Sequence, residues 1–147
     1  MESSAAPSIT VLIEVPRGSF AKRDAARRLE FLSPLPCPFN YGSVPALRGA
    51  DQDALDAVVL GPRLAAGTTL RTTPRAVVRF VDAGQEDDKL ICAAAPLTPG
   101  ERRLVLAFFH VYALAKRLRG AVRRRPGATR CAGFGDLAEV LARAAGR

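Results

Sequence analysis

The sequence predicts an α+β fold, a small antiparallel β-barrel of short strands followed by two helices. Two observations carry this. Up to Pro99-Gly100, short apolar and β-branched runs alternate with Pro- and Gly-bearing breaks. Beyond Glu101, apolar residues recur at three- and four-residue steps instead. A barrel is the natural way for many short strands to hide their edges. Ile9 to Val15 reads as the first strand, stopped by Pro16-Arg17-Gly18. Lys22 to Arg28 is polar, and Glu30 to Leu32 is a short strand. Pro34, Pro36 and Pro38 impose an extended, irregular segment that leads into Asn40-Tyr41-Gly42, with Pro45 close behind. Leu55 to Leu60 is a buried strand closed by Gly61-Pro62, and Gly67-Thr68 marks a turn. Arg75 to Val81 and Lys89 to Ala94 are further strands, the latter ended by Pro96. Leu104, Phe108, Val111, Ala115 and Leu118 then form a helical core stripe that ends at Gly120. After a Pro126-Gly127 loop, Asp136 is the N-cap of a short closing helix carrying Leu137, Val140, Leu141 and Ala144.

At 147 residues, 48% hydrophobic and 24% charged, residues 1–147 suit a single domain, with residues 1–8 a flexible lead-in. One histidine, His110, excludes a His-rich zinc site or a pair of histidine catalysts, and its apolar neighbours suggest a structural role. Cys37, Cys92 and Cys131 form no CxxC pair, which argues against a disulfide framework and a structural zinc. They read as small core or loop residues. No apolar run approaches the ~20 residues of a membrane span. No secretory signal is visible at Met1 to Ser8, so a reducing cytoplasm is the expected compartment.

Charge is unevenly spread. The formal net charge is +8, yet residues 101–130 hold nine basic groups against Glu101 alone, peaking at Arg123-Arg124-Arg125. The rest of the chain is balanced. This stretch reads most simply as a solvated helix end and loop, with a polyanion or acidic protein surface as the alternative partner. Nucleic acid is disfavoured, because aromatics are only 6% and single-strand binders stack bases on aromatic rings.

Seven of the 14 acids crowd into two windows, Asp51-Gln52-Asp53-Ala54-Leu55-Asp56 and Asp82 through Asp88. In an extended segment Asp51 and Asp53 share a side, and a bend before Leu55 brings Asp56 round to them. Carboxylates converging in this way repel one another unless a cation lies between them. Hard oxygen donors suit Mg²⁺, which keeps water and shares its shell with phosphate. A solvated acidic turn stays open as the plainer reading of either window. An EF-hand does not fit, since Gly and Glu are missing at the loop positions it requires.

Five motifs now stand in order along residues 9 to 116: Ile13-Glu14-Val15-Pro16-Arg17-Gly18-Ser19 with Lys22, Phe39-Asn40-Tyr41-Gly42, Asp51-x-Asp53-x-x-Asp56, Asp82 with Asp87-x-Lys89, and Phe108-Phe109-x-x-Tyr112. In this order and spacing the chain resembles the soluble family I inorganic pyrophosphatases. The resemblance implies an OB-like barrel and Mg²⁺-dependent hydrolysis of inorganic pyrophosphate. It implies metal ligation by Asp51, Asp56, Asp82 and Asp87, with Glu14 auxiliary, and a general-base role for Asp53. Phosphate contacts fall on Lys22, Tyr41, Lys89 and Tyr112, together with Arg28 or, in a second alignment, Arg27. It also implies a homo-oligomer, commonly a hexamer.

Some positions depart from the family pattern. Gln52 stands where Gly is frequent, Ala54 where Pro is usual, Arg23-Asp24 where Tyr-Glu is common, and Ala113 where a phosphate-binding Lys follows the Tyr. Lys116, one helical turn beyond Tyr112, is the candidate to supply that missing contact. Two other functions compete: a catalytically impaired binding protein that uses residues 101–130, and a metal-dependent hydrolase of another phosphorylated small molecule.

Overall fold

The computed structural model describes residues 7–19, 21–23, 29–32, 37–123 and 127–147. In chain order the strands are β1 (Ile9–Val15), β2 (Ala21–Arg23), β3 (Leu29–Leu32), β4 (Asn40–Arg48), β5 (Ala54–Val59), β6 (Thr69–Thr72), β7 (Pro74–Asp82), β8 (Gln85–Glu86) and β9 (Lys89–Cys92). Helix α1 (Pro99–Arg123), strand β10 (Arg130–Phe134) and helix α2 (Leu137–Ala145) follow. The main sheet runs β10-β7-β9-β5-β4-β1-β6, with β8 on β7, and β2-β3 form a separate hairpin.

The α+β class holds. Among the described pairings the sheet is open, with β10 and β6 as its edges, and β5 and β9 run parallel where an all-antiparallel barrel was expected. No helix among the described residues is long and apolar enough to cross a membrane.

Strand parity sorts the core into two layers. Val58, Ala76, Val78, Phe80 and Ile91 pack toward α1. Their alternates Ala57, Val59, Val77, Leu90 and Cys92 pack with Val140 and Ala144 of α2. A bulge between Ile13 and Val15 breaks the parity of β1, so Ile13 joins the second layer and Val15 the first.

Helix α1 corrects the expected stripe. Leu104, Val111 and Leu118 are 48%, 39% and 63% exposed, and Phe108 alone of the five is buried. The buried stripe is Val105, Phe108, Phe109 and Ala113, with Tyr112 half-buried beside it. Phe109 lies with its ring centroid 6.3 Å from Phe39 and 6.1 Å from Phe80. Two apolar stripes compete on this helix, and the aromatic one wins because each ring removes far more surface from water.

The helix also extends through Gly120 to Arg123. Its start is a reciprocal cap: Thr98 N donates to Glu101 Oε1 at 2.9 Å, and Glu101 N donates to Thr98 Oγ1 at 3.1 Å. Asp136 caps α2 as expected, its Oδ1 accepting from Glu139 N at 3.1 Å. Strands β2, β4, β6, β8 and β10 had not been expected.

Candidate functional site

Strand parity also builds the polar end of the α1 layer. Asp56 and Lys89 are partners in the parallel β5–β9 pair, and Ser43 of β4 lies across from Asp56. Asp56 shares a face with Val58, Lys89 with Ile91, and Asp82 with Phe80. The hydrophobic layer under α1 therefore ends in a row of charges.

Lys89 is 1% exposed, and its ammonium is held by two carboxylates. Nζ lies 2.6 Å from Asp56 Oδ2 and 2.8 Å from Asp87 Oδ2. Tyr41 donates its hydroxyl to the same Asp56 oxygen at 3.0 Å. The Phe80 and Tyr41 rings flank the ammonium at 5.4 and 5.7 Å. Burial opposes the charge on Lys89, but the Asp56 and Asp87 carboxylates outweigh it and hold the ammonium protonated well above its usual range. Burial pushes Tyr41 up strongly, with Asp56 adding to it, so the phenol stays a donor. Burial likewise raises Asp87 against the pull of Lys89.

A second pair adjoins this one. Lys116 Nζ donates to Asp82 Oδ2 at 2.7 Å and sits 5.1 Å from the Tyr112 ring centroid. Two rings join the pairs into one cluster, Phe80 lying 5.4 Å from Lys89 Nζ and 5.6 Å from the Tyr112 ring on which Lys116 rests. Thr129 trims the Asp82 corner: its Oγ1 accepts from Ala83 N at 2.9 Å and lies 3.5 Å from Asp82 Oδ1. Ala113, expected to leave a gap for a cation, faces the core at 1% exposure. A lysine there would be driven into the aromatic layer.

Asp51 and Asp53 stand apart from this arrangement. They lie exposed on a tight turn rather than along an extended segment. Gly49 N donates to Asp53 O at 2.9 Å, Gln52 N to Gly49 O at 3.1 Å, and Asp53 N to Asp51 Oδ1 at 3.0 Å. Gln52 takes φ 71°, a left-handed conformation that favours glycine. The bend therefore falls at Gln52 itself.

Glu14 is half-buried at the β1 bulge, with Oε1 shielded from solvent. The side chain of Lys22, and Arg27 and Arg28 altogether, lie outside the described residues, as do residues 1–6 and Arg124 and Arg125. His110 is exposed on α1. Cys37 and Cys92 are buried thiols, pushed up by burial to about 11 and about 12 and so kept un-ionised.

The sequence reading missed what holds Tyr41 in place. Asn40 is fully buried. Its Oδ1 accepts from Arg17 N at 3.1 Å and Leu64 N at 2.9 Å. Its Nδ2 donates to Val59 O at 3.3 Å and Pro62 O at 2.9 Å. Gly42 lets β4 lie against β1, since a Cβ there would fall 1.9 Å from Leu12 O. The signal was the Asn40-Tyr41-Gly42 run itself: residues that fix the backbone on both sides of one aromatic.

A family model described as inorganic pyrophosphatase matches residues 11–104. The inorganic pyrophosphatase of Haemophilus influenzae is 36% identical over 95 residues, 59% of this chain and 54% of that protein. That of Gluconobacter oxydans is 33% identical over 92 residues, 57% of this chain and 53% of the relative. These matches thus span about half the length of the curated relatives. Among solved structures, an inorganic pyrophosphatase from Neisseria gonorrhoeae superposes with TM-score 0.71 at 25% identity, covering 95% of this chain and 90% of that one. The Thermus thermophilus inorganic pyrophosphatase shares the fold, with TM-score 0.77 at 21% identity over 99% and 94% of the two chains. With most of its sheet and both acidic windows inside the matched region, this chain belongs to the inorganic pyrophosphatase family.

Proposed function

We propose that this protein hydrolyses inorganic pyrophosphate to two phosphates with Mg²⁺. The observation that carries the reading is Lys89, a buried ammonium clamped between Asp56 and Asp87 beside the Lys116–Asp82 pair. Such a site carries fixed positive charge for phosphate oxygens and carboxylates for a divalent cation.

The donor chemistry fits that cation. Asp51, Asp56, Asp82 and Asp87 offer only hard oxygens, and Mg²⁺ needs one or two carboxylates with water and substrate phosphate completing its shell. A closed cage of three ligands is therefore not required, and none occurs among the described residues. Mg²⁺, which these carboxylates would hold with Glu14 in an auxiliary role, would supply neutralisation of phosphoryl charge and a water easier to deprotonate.

The chain's own groups divide the remaining work. Asp53, exposed on the same turn as Asp51, is the proposed general base that takes the proton of the attacking water. Among the described contacts Lys89 commits two of its three N–H donors to Asp56 and Asp87, and the third would hold a phosphate oxygen at a fixed point. Tyr41 orients Asp56, and Tyr112 lines the anion side. Lys22 and Arg28, or Arg27, would complete the anion contacts by charge-assisted hydrogen bonds. No covalent nucleophile is needed.

The test is phosphate release from pyrophosphate with Mg²⁺ and with EDTA. Release that needs Mg²⁺ supports the reading. No release above buffer overturns it and leaves the impaired binder, while release from a phosphomonoester alone favours the other hydrolase. Three unbridged thiols suit a reducing compartment, and the cytoplasm is the proposed setting. We also propose a homo-oligomer, on the support of Leu104, Val111, Leu114 and Leu118 exposed along one side of α1. Light scattering of the purified protein would measure it, and a monomer at micromolar concentration would reject it.

A further inference from the structure

The two ammonium–carboxylate pairs are not equivalent, and the difference points to a device. Lys89 is 1% exposed and bound by two carboxylates from adjoining positions, so it cannot leave. Lys116 is 20% exposed, bound among the described residues by Asp82 alone, and carried on α1 by a four-carbon stem. Asp82 is itself 23% exposed, at the end of β7. A part-buried pair joined by one contact exchanges more readily than the buried, doubly held Lys89. Among the described contacts Lys116 commits one donor of three, so two remain for another acceptor. The Tyr112 ring beneath it offers a second resting place for the ammonium.

Resting on the proposed reaction, we infer that Lys116 is an exchangeable counter-ion that couples the binding of cation and anion. Without a divalent cation it neutralises Asp82. When Asp82 turns to a divalent cation, Lys116 is released across Tyr112 and donates to a phosphate oxygen. One side chain thus hinders early metal binding and rewards anion binding once metal is present. Coupling of this sort is reciprocal: the anion tightens the cation by the same factor that the cation tightens the anion.

The test is calorimetric titration of Lys116→Met, which removes the charge but keeps an apolar stem over Tyr112. Mg²⁺ is titrated alone, and imidodiphosphate, a pyrophosphate analogue that resists hydrolysis, is titrated with and without Mg²⁺. Thermal unfolding checks that the variant folds. Lys116→Met should bind Mg²⁺ alone about two- to fivefold more tightly, because the competitor for Asp82 is gone. It should bind the analogue in Mg²⁺ roughly tenfold or more weakly, the loss of one charge-assisted hydrogen bond. Lys116→Arg should restore most of the anion affinity.

If Mg²⁺ affinity is unchanged or falls, Lys116 does not compete for Asp82 and the inference fails. If the analogue binds Lys116→Met as tightly as the parent, the anion half fails with it. A parent protein that binds neither probe would instead overturn the proposed function.

Discussion

The two acidic windows look alike as sequence and are held by opposite means. The window around Asp87 lies among strands β7, β8 and β9 and, with Asp56 at the end of the first window, is neutralised from within: Lys89 is buried between Asp56 and Asp87, and Lys116 reaches Asp82. The Asp51–Asp53 turn carries no such cation among the described contacts. It is shaped by backbone hydrogen bonds and one Asp51 cap. The first arrangement spends stability on a fixed electrostatic field; the second leaves two carboxylates exposed to water. Anion positioning suits the first, and proton transfer suits the second.

Lys89→Met is the most damaging way to break the contrast. Removing one partner from a buried ion pair strands the remaining charge, at a cost of about 3 kcal/mol. Here it would leave Asp56 and Asp87 facing each other without the ammonium that joins them. Urea unfolding should show that loss, with pyrophosphate turnover abolished. Adding Asp56→Asn to Lys89→Met should recover part of the stability, because one of the two repelling charges is gone. If the double variant is no better than the single one, the clamp is not what holds the cluster.

Asp53→Asn tests the other window. As an exposed side chain it should change stability by no more than about 0.5 kcal/mol. Loss of a general base should nevertheless lower turnover by roughly 100-fold or more. Asp56→Asn should instead lower Mg²⁺ affinity by about tenfold or more, since losing even a group that only orients a ligand costs about that much. Titrating Mg²⁺ into both variants separates the roles. Equal affinities would erase the proposed division between base and ligand.

The fold was legible where local chemistry is decisive. Pro16 and Gly61-Pro62 lie just beyond the ends of β1 and β5, and the Asp136 cap opens α2, whereas β9 stops at Cys92, short of Pro96. It was illegible where tertiary packing chooses between equal local options. Helix α1 bears two apolar stripes, and only contact with Phe39 and Phe80 selects the one containing Phe109. Strand β4 was obscured by Pro45, which interrupts the pairing between Val44 and Arg48 without ending the strand. At the site, residue types were readable but partners were not. Lys89 meets Asp56 across 33 positions and Lys116 meets Asp82 across 34, through strand register and helix docking that no periodicity encodes.

The smallest effect belongs to Gln52. Its φ of 71° costs a side-chain-bearing residue about 1 kcal/mol or more relative to glycine. Glycine returns roughly 0.4–1 kcal/mol of that through the greater freedom of the unfolded chain. Gln52→Gly should therefore stabilise by about 0.5 kcal/mol, raising Tm by roughly 1–2 °C for a chain of this size. Because the gain is conformational, it should persist in about 1 M salt, where the Debye length falls to about 3 Å and interactions between exposed charges are screened. A gain that vanished in salt would mean that Asp51 and Asp53 repulsion, not backbone strain, sets the energy of this turn. A loss of stability would mean that the turn does not adopt the left-handed conformation, and the contrast between a backbone-built and a charge-built window would fall with it.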